Sequence, residues 1–209
     1  MKITWLGHAC FKIEKNGYSV ILDPYTDGSV PGLKPIRETA NMVICSHEHG
    51  DHSGRACVEI AAASECPFTI TTIDTYHDEK EGSMRGKNKI TIIDDGESKI
   101  AHMGDLGCEL ELDQLKQLNG LDVMMVPVGG YYTIGAVQAA RLVEQIRPAM
   151  TIPMHYRSDD KRTAEFGYAE ISEVNDFLEN MDSVKTLNSS EVDSKDALAQ
   201  VVVLQPYNI

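Results

Sequence analysis

The chain has 209 residues, of which 42% are hydrophobic, and this size and composition predict one globular domain spanning residues 1–209 with a sizeable core. A formal net charge of −13 without any basic strip argues against a long nucleic acid as partner, because such a surface repels polyphosphate. No run approaches the roughly 20 apolar residues of a membrane span. The first residues read as a strand rather than a secretory signal, and five cysteines without framework spacing indicate reduced thiols in a cytoplasm.

In chain order, residues 2–6 and 10–14 predict two strands, and Asn16-Gly17 is a strong hairpin turn into a third at 18–22. That strand ends at Asp23-Pro24, and the glycines and prolines of 26–39 predict a surface loop. Residues 41–45 are short and apolar, like a buried strand, and 54–63 is a good helix sequence. A short strand at 68–71, a long polar loop at 74–88, and strands at 89–93 and 98–103 around Asp94-Asp95-Gly96 follow. Helices are predicted at 110–118, at 134–146 with Thr133 as its cap, and at 170–181. Further strands fall at 122–126, 150–153 and 199–204, and 191–195 reads as a mobile turn. Strands clustered first, then alternation of strand and helix, imply two sheets with helices outside.

One stretch stands apart. Cys45-Ser46-His47-Glu48-His49-Gly50-Asp51-His52-Ser53 places three histidines and an aspartate within six residues, on the loop leaving a predicted strand. Neutral imidazole and ionised carboxylate are both good ligands for a divalent metal, which gives the crowding a physical reason. In extended backbone His47 and His49 point the same way, Asp51 continues the alternation and His52 turns off it. One ion can take His47 and His49, and a second Asp51 and His52. The run is not the zincin motif, since Asp51 stands where HExxH needs its second histidine. Cys45, beside Val43 and Ile44, reads as a packed thiol rather than a ligand, and Glu48 as a solvent-facing side chain.

The run H-x-H-x-D-H resembles the signature of the metallo-β-lactamase-fold hydrolases. Across the whole chain the resemblance is to a compact bacterial branch that includes the L-ascorbate 6-phosphate lactonase-like, Zn-dependent hydrolases. The motifs that carry it are His77 in Tyr76-His77-Asp78, Asp105 in His102-Met103-Gly104-Asp105-Leu106-Gly107, and His155 in Pro153-Met154-His155-Tyr156. The resemblance implies an α/β fold, a four-layer αβ/βα sandwich with metals at one edge between the sheets. It implies two divalent ions, zinc before manganese or iron, with His47, His49 and His77 on one, Asp51, His52 and His155 on the other, and Asp105 between. A carboxylate has two oxygens and can bridge two cations, as a neutral imidazole cannot. Asp51 and Asp105 are then the catalytic carboxylates. His8, Asp23 and His102 are expected to support the ligands from behind, Asp23 by accepting a hydrogen bond from a ligand imidazole.

The implied activity is hydrolysis of a small ester, lactone or phosphodiester by a hydroxide bridging the two ions. The partner is a small molecule, an anionic one included, and a homo-oligomer is compatible with the sequence. Tyr132, Thr133, Arg85, Arg157 and Lys161 are candidates to meet the substrate. Two alternatives share the fold. A diiron oxidoreductase carries a glutamate at the position of His49 and a flavin domain, and neither is present. A non-catalytic member loses ligands, whereas all seven are kept.

Overall fold

The computed structural model describes residues 1–160, 164–196 and 198–209, so Lys161 lies outside the described residues. The elements begin with β1 (Lys2–Gly7), β2 (Cys10–Lys15), β3 (Tyr18–Leu22), β4 (Glu38–Ala40), β5 (Met42–Ile44) and β6 (Val58–Ile60). Next come β7 (Thr69–Tyr76), β8 (Lys87–Asp94), β9 (Lys99–His102), α1 (Leu112–Gln117), β10 (Val123–Pro127), α2 (Ala136–Ile146) and β11 (Met150–Met154). The chain closes with β12 (Ser158–Asp160), β13 (Ala164–Phe166), α3 (Val174–Leu178), β14 (Val184–Thr186), β15 (Glu191–Asp193) and β16 (Val201–Val203).

Two sheets dominate. One runs β15-β1-β2-β3-β5, the other β14-β16-β11-β10-β9-β8-β7, and β4 with β6 and β12 with β13 form two small pairs. The sheets share one core, to which Trp5, Phe11 and Val20 come from the first and Ile93, Met125 and Ile152 from the second. Phe11 reaches across to the His102 ring, 5.8 Å away. β10 is buried along its whole length, as a central strand between parallel neighbours requires, and α1 and α2 carry the crossovers from β9 to β10 and from β10 to β11. Asn16 and Gly17 both take positive φ, the mirror-image turn that joins β2 to β3. No helix among the described residues is long and apolar enough to cross a membrane.

Several elements differ from the sequence expectation. Residues 54–63 hold no α-helix: a 3₁₀ turn at Arg55–Cys57 leads into β6, which pairs in parallel with β4. Strand pairing and the tight seat of Gly54, where a Cβ would sit 2.5 Å from the Tyr25 carbonyl oxygen, override helix propensity there. The helix expected at 170–181 shrinks to α3. The backbone before it is spoken for, with the Ser172 N–H on the Gly129 carbonyl and the Arg157 N–H on the Ser172 carbonyl. α2 starts later than expected, and Thr133 does not cap it: its hydroxyl donates to the Ile134 carbonyl, while Gln138 Oε1 accepts from the Gly135 N–H. The supposed turn at 191–195 contains β15, which pairs with the outer edge of β1. The expected long loop at 74–88 contracts to 77–86, because β7 and β8 pair out to Tyr76 and Lys87.

Candidate metal centre

The strands deliver their carboxyl ends to one edge of the molecule. His8 sits in the turn after β1, Asp23 follows β3, Ser46 to His52 follow β5, His77 follows β7, Asp105 follows β9 and His155 follows β11. In layered α/β structures this edge is where ligands bind. Three of these residues, His8, Asp23 and His155, hold positive φ of 53, 45 and 53°. Left-handed backbone at non-glycine residues is costly and gathers at functional sites.

Asp105 is the centre. Its Oδ2 lies 3.1 Å from His52 Nε2, 3.2 Å from His77 Nε2, 3.3 Å from His155 Nε2 and 3.9 Å from His47 Nε2. The donors fall into groups whose atoms lie within 4.8 Å of one another: His47, His49 and His77 on one side, and His8, Asp51, His52 and His155 on the other. Asp23, His47 and His52 form a further group behind them. All of the expected ligands are thus brought together, and His8 stands closer to the second group than a supporting role required.

The surrounding hydrogen bonds aim the rings. His52 Nδ1–H donates to Asp23 Oδ2 at 2.8 Å, which turns Nε2 toward Asp105. Asp23 also accepts from the Ser46 N–H and hydroxyl, each at 2.6 Å, and Ser46 Oγ accepts from His47 Nδ1 at 2.9 Å. One buried carboxylate therefore fixes two imidazoles, the second through a serine. His8 Nε2 donates to Asp51 Oδ2 at 3.3 Å. His102 is turned away: its Nε2 donates to the Ala9 carbonyl at 2.8 Å and its Nδ1 accepts from the Gly104 N–H at 3.2 Å. Both its nitrogens are used on backbone groups.

Ser46 and Asn88 are among the site residues that the sequence did not single out. Asn88 is fully buried, accepts from the Asp105 N–H at 2.9 Å and donates to the Met103 carbonyl and the Thr75 hydroxyl. A serine before a histidine and a polar residue ending a strand are too common to signal such roles. Gly104 is held at φ +57°, and a Cβ there would lie 2.3 Å from Asn88 Oδ1 and 2.6 Å from Ser46 Cβ. The glycine lets the Asp105 backbone approach both supports.

Electrostatics prepare the donors. Burial pushes His47 down to about 3 and His8 to about 4, with neighbouring imidazoles adding to the effect, so both are neutral at pH 7. Burial would also lower His52, but Asp105 and Asp23 outweigh it and hold the ring protonated by protein charges alone. Burial pushes Asp51 and Asp105 up, and the imidazoles around them reverse this, leaving both carboxylates ionised. Burial raises the Cys45 thiol to about 12, which keeps it a thiol rather than a ligand. Glu48 faces solvent in an ion pair with Arg55.

The donor set fits divalent ions. Among the described residues, His47 Nε2, His52 Nε2, His155 Nδ1 and Nε2, and Asp105 Oδ1 are all buried without a hydrogen-bond partner. Orphaned polar atoms carry a desolvation cost in a folded protein, and here they concentrate around one carboxylate.

A cavity of about 340 Å³ opens over the donors, lined by His49, Asp51, His77 and Asp105 on its floor and by Met84, Arg85, Tyr132 and Tyr168 on its walls. Of the other candidates to meet a substrate, Thr133 does not line it. Arg157 is tied to Asp159 and Glu173 and lines a different cavity.

A model of the beta-lactamase superfamily domain matches residues 2–155. The chain belongs to the beta-lactamase superfamily. Among its relatives, a UPF0173 metal-dependent hydrolase of Archaeoglobus fulgidus is 29% identical over 76% of this chain and 84% of that protein. Another UPF0173 metal-dependent hydrolase, from Carboxydothermus hydrogenoformans, is 27% identical over 80% of this chain and 89% of its own. A crystal structure from Thermotoga maritima, named as a candidate Zn-dependent hydrolase of the metallo-beta-lactamase superfamily, superposes with a TM-score of 0.74. It covers 97% of each chain at 29% identity. The superfamily fold is the α/β sandwich expected from the sequence, built here with short helices.

Proposed function

We propose that this superfamily member is a metal-dependent hydrolase with two divalent ions, acting on a small ester, lactone or phosphodiester. The observation that carries the reading is the Asp105 carboxylate, which has four imidazole nitrogens within 3.9 Å of one oxygen and donor groups on both sides. His47, His49 and His77 would hold one ion and Asp51, His52 and His155 the other, with Asp105 shared. The relatives' names as metal-dependent hydrolases support the same class. Imidazole-rich ligation favours zinc, and manganese or iron accepts the same donors.

Divalent ions in such a site acidify water at neutral pH and polarise a carbonyl or phosphoryl oxygen. The chain's own residues do the rest. Asp23 and Ser46 hold the Nδ1 sides of His52 and His47, so that each ring turns its Nε2 toward Asp105. Asp51, kept ionised and held by His8, would orient the attacking water. Tyr132 and Tyr168 line the same cavity, whose volume of about 340 Å³ suits a small substrate.

The test is elemental analysis of protein purified without chelator, followed by a panel of lactones, carboxylic esters, thioesters and phosphodiesters. Two ions per chain and turnover of one class are expected. Absence of metal after add-back of zinc or manganese would overturn the site. Iron with redox turnover and no hydrolysis would favour the diiron alternative, and metal without any turnover the non-catalytic one.

A further inference from the structure

The wall of the cavity carries one lysine or arginine among its described lining residues, Arg85. Its guanidinium is held on three sides. One nitrogen donates to the Tyr131 carbonyl at 2.6 Å, and the group lies 5.0 Å from the centre of the Tyr132 ring and 5.7 Å from that of Tyr131. Stacking of this kind steadies a guanidinium without consuming its donors. Arg37, Arg55 and Arg157 each pair with a carboxylate. Arg85 has no carboxylate partner among the described residues, in a chain with 32 acidic residues against 19 basic ones.

The loop that carries Arg85 is built to hold it still. The Asp78 carboxylate accepts four backbone N–H groups, from Lys80 at 2.8 Å, Gly82 at 3.1 Å, Met84 at 3.1 Å and Arg85 at 2.7 Å. Gly82 closes the turn at φ +76°, where a Cβ would meet the Gly86 carbonyl oxygen at 2.6 Å, and the His77 N–H donates to that same oxygen. His77 on the cavity floor and Arg85 on its wall are therefore two ends of one locked loop. A preorganised cation with spare paired donors loses little freedom when it binds a planar oxyanion.

We propose that Arg85 is the residue that recognises an anionic group of the substrate. The substrate class is then a small ester, lactone or phosphodiester bearing an oxyanion, carboxylate or phosphate, beside the bond that is cleaved. This rests on the hydrolase reading for the cleavage, and on Arg85 and its loop for the anion. The acidic floor of the cavity does not oppose it, because Asp51 and Asp105 are ringed by imidazoles and would be neutralised further by the ions.

Two measurements on zinc-loaded protein decide it, with Arg85→Gln, Arg85→Lys and the loop control Lys80→Gln beside wild type. The first is calorimetric titration with succinate and with inorganic phosphate, and whichever binds identifies carboxylate or phosphate. Arg85→Gln should bind that anion about tenfold or more weakly, the scale of a lost charged hydrogen bond. Arg85→Lys should fall between, because it keeps the charge and loses the fork, and Lys80→Gln should match wild type. The second compares mono-4-nitrophenyl succinate with 4-nitrophenyl acetate. Arg85→Gln should lower kcat/KM for the anionic ester at least tenfold more than for the neutral one, mainly through KM. Equal affinities in wild type and Arg85→Gln, binding of neither anion, or equal losses on both esters would overturn the proposal. If Arg85→Gln fails to fold, the Arg85→Lys comparison decides. Should neither ester be cleaved by any form, carboxylic esters drop out of the hydrolase reading, while the titration still judges Arg85.

Discussion

All seven histidines of the chain lie in or beside one site, yet they are not equivalent. His77 is buried after β7 with Nδ1 unpartnered and Nε2 3.2 Å from Asp105. His102 spends both nitrogens on backbone groups. Removing a ligand should empty one ion position, whereas removing a supporting group typically costs about 10–100-fold in affinity or activity. His77→Ala should therefore retain one ion per chain and lose nearly all hydrolysis. His102→Ala should bind both ions at saturating metal and keep measurable activity. Metal counts by elemental analysis after equilibrium dialysis check this, and exchanged behaviours of the two variants would reverse the assignment. The run from His47 to His52 was legible because histidine spacing is conspicuous and metal chemistry rewards it, whereas His77, Asp105 and His155 were placed through the family resemblance. Ser46 and Asn88 were not legible: each acts through a hydrogen bond that exists only once distant strands have met.

At the scale of elements, the sequence located the strands that feed the site better than the segments between them. β3, β10 and β11 are wholly buried and were visible as short apolar runs bounded by turn residues. The segment 54–63 was misread because local helix propensity says nothing about the partner strand β4 that the fold supplies. The polar composition of 74–88 marks it as a long loop, and that same polarity provides the carboxylate of Asp78 that orders residues 77–86. Asp95 plays a similar part in the β8–β9 turn. It accepts the N–H groups of Glu97 and Ser98 and pairs with Lys15 of β2 at 2.8 Å, tying one sheet to the other. Burial pushes its carboxyl up, but Lys15 and the two N–H groups prevail and hold it near about 2. A folded-state pKa below the unfolded one stabilises the fold above the unfolded value, and the gain is lost as pH falls through the folded value. The Asp95 contribution, on the order of 1–2 kcal/mol, should thus be complete above pH 5 and fade between about pH 4 and 2. Urea midpoints of wild type and Asp95→Asn at pH 7, 4 and 2.5 test this. A stability gap that stays constant across the series would refute it.

At the scale of the molecule, the site is a seam. Asp51 and three of the histidines follow β5 of one sheet, and His77, Asp105 and His155 follow strands of the other. Ions bound between them would cross-link the two sheets, and without ions the same edge holds orphaned nitrogens and ionised carboxylates in a buried place. Metal should then stabilise the fold by mass action, by about 2.7 kcal/mol for an ion at 100 times its Kd. For a chain of this length that corresponds to roughly 5–10 °C in Tm. Binding should also release protons. Asp105 and Asp23 keep His52 protonated by protein charges alone, and an ion taking its Nε2 must expel that proton. Two observations follow from the same cause. EDTA followed by dialysis should lower Tm, and zinc should restore it. The calorimetric enthalpy of zinc uptake at pH 7 should vary with the ionisation enthalpy of the buffer, with a slope showing net proton release. A Tm unmoved after the metal is shown to have left would mean that the edge is stable without ions. A buffer-independent enthalpy would mean that His52 is already neutral, and that Asp23 aims its ring without charging it.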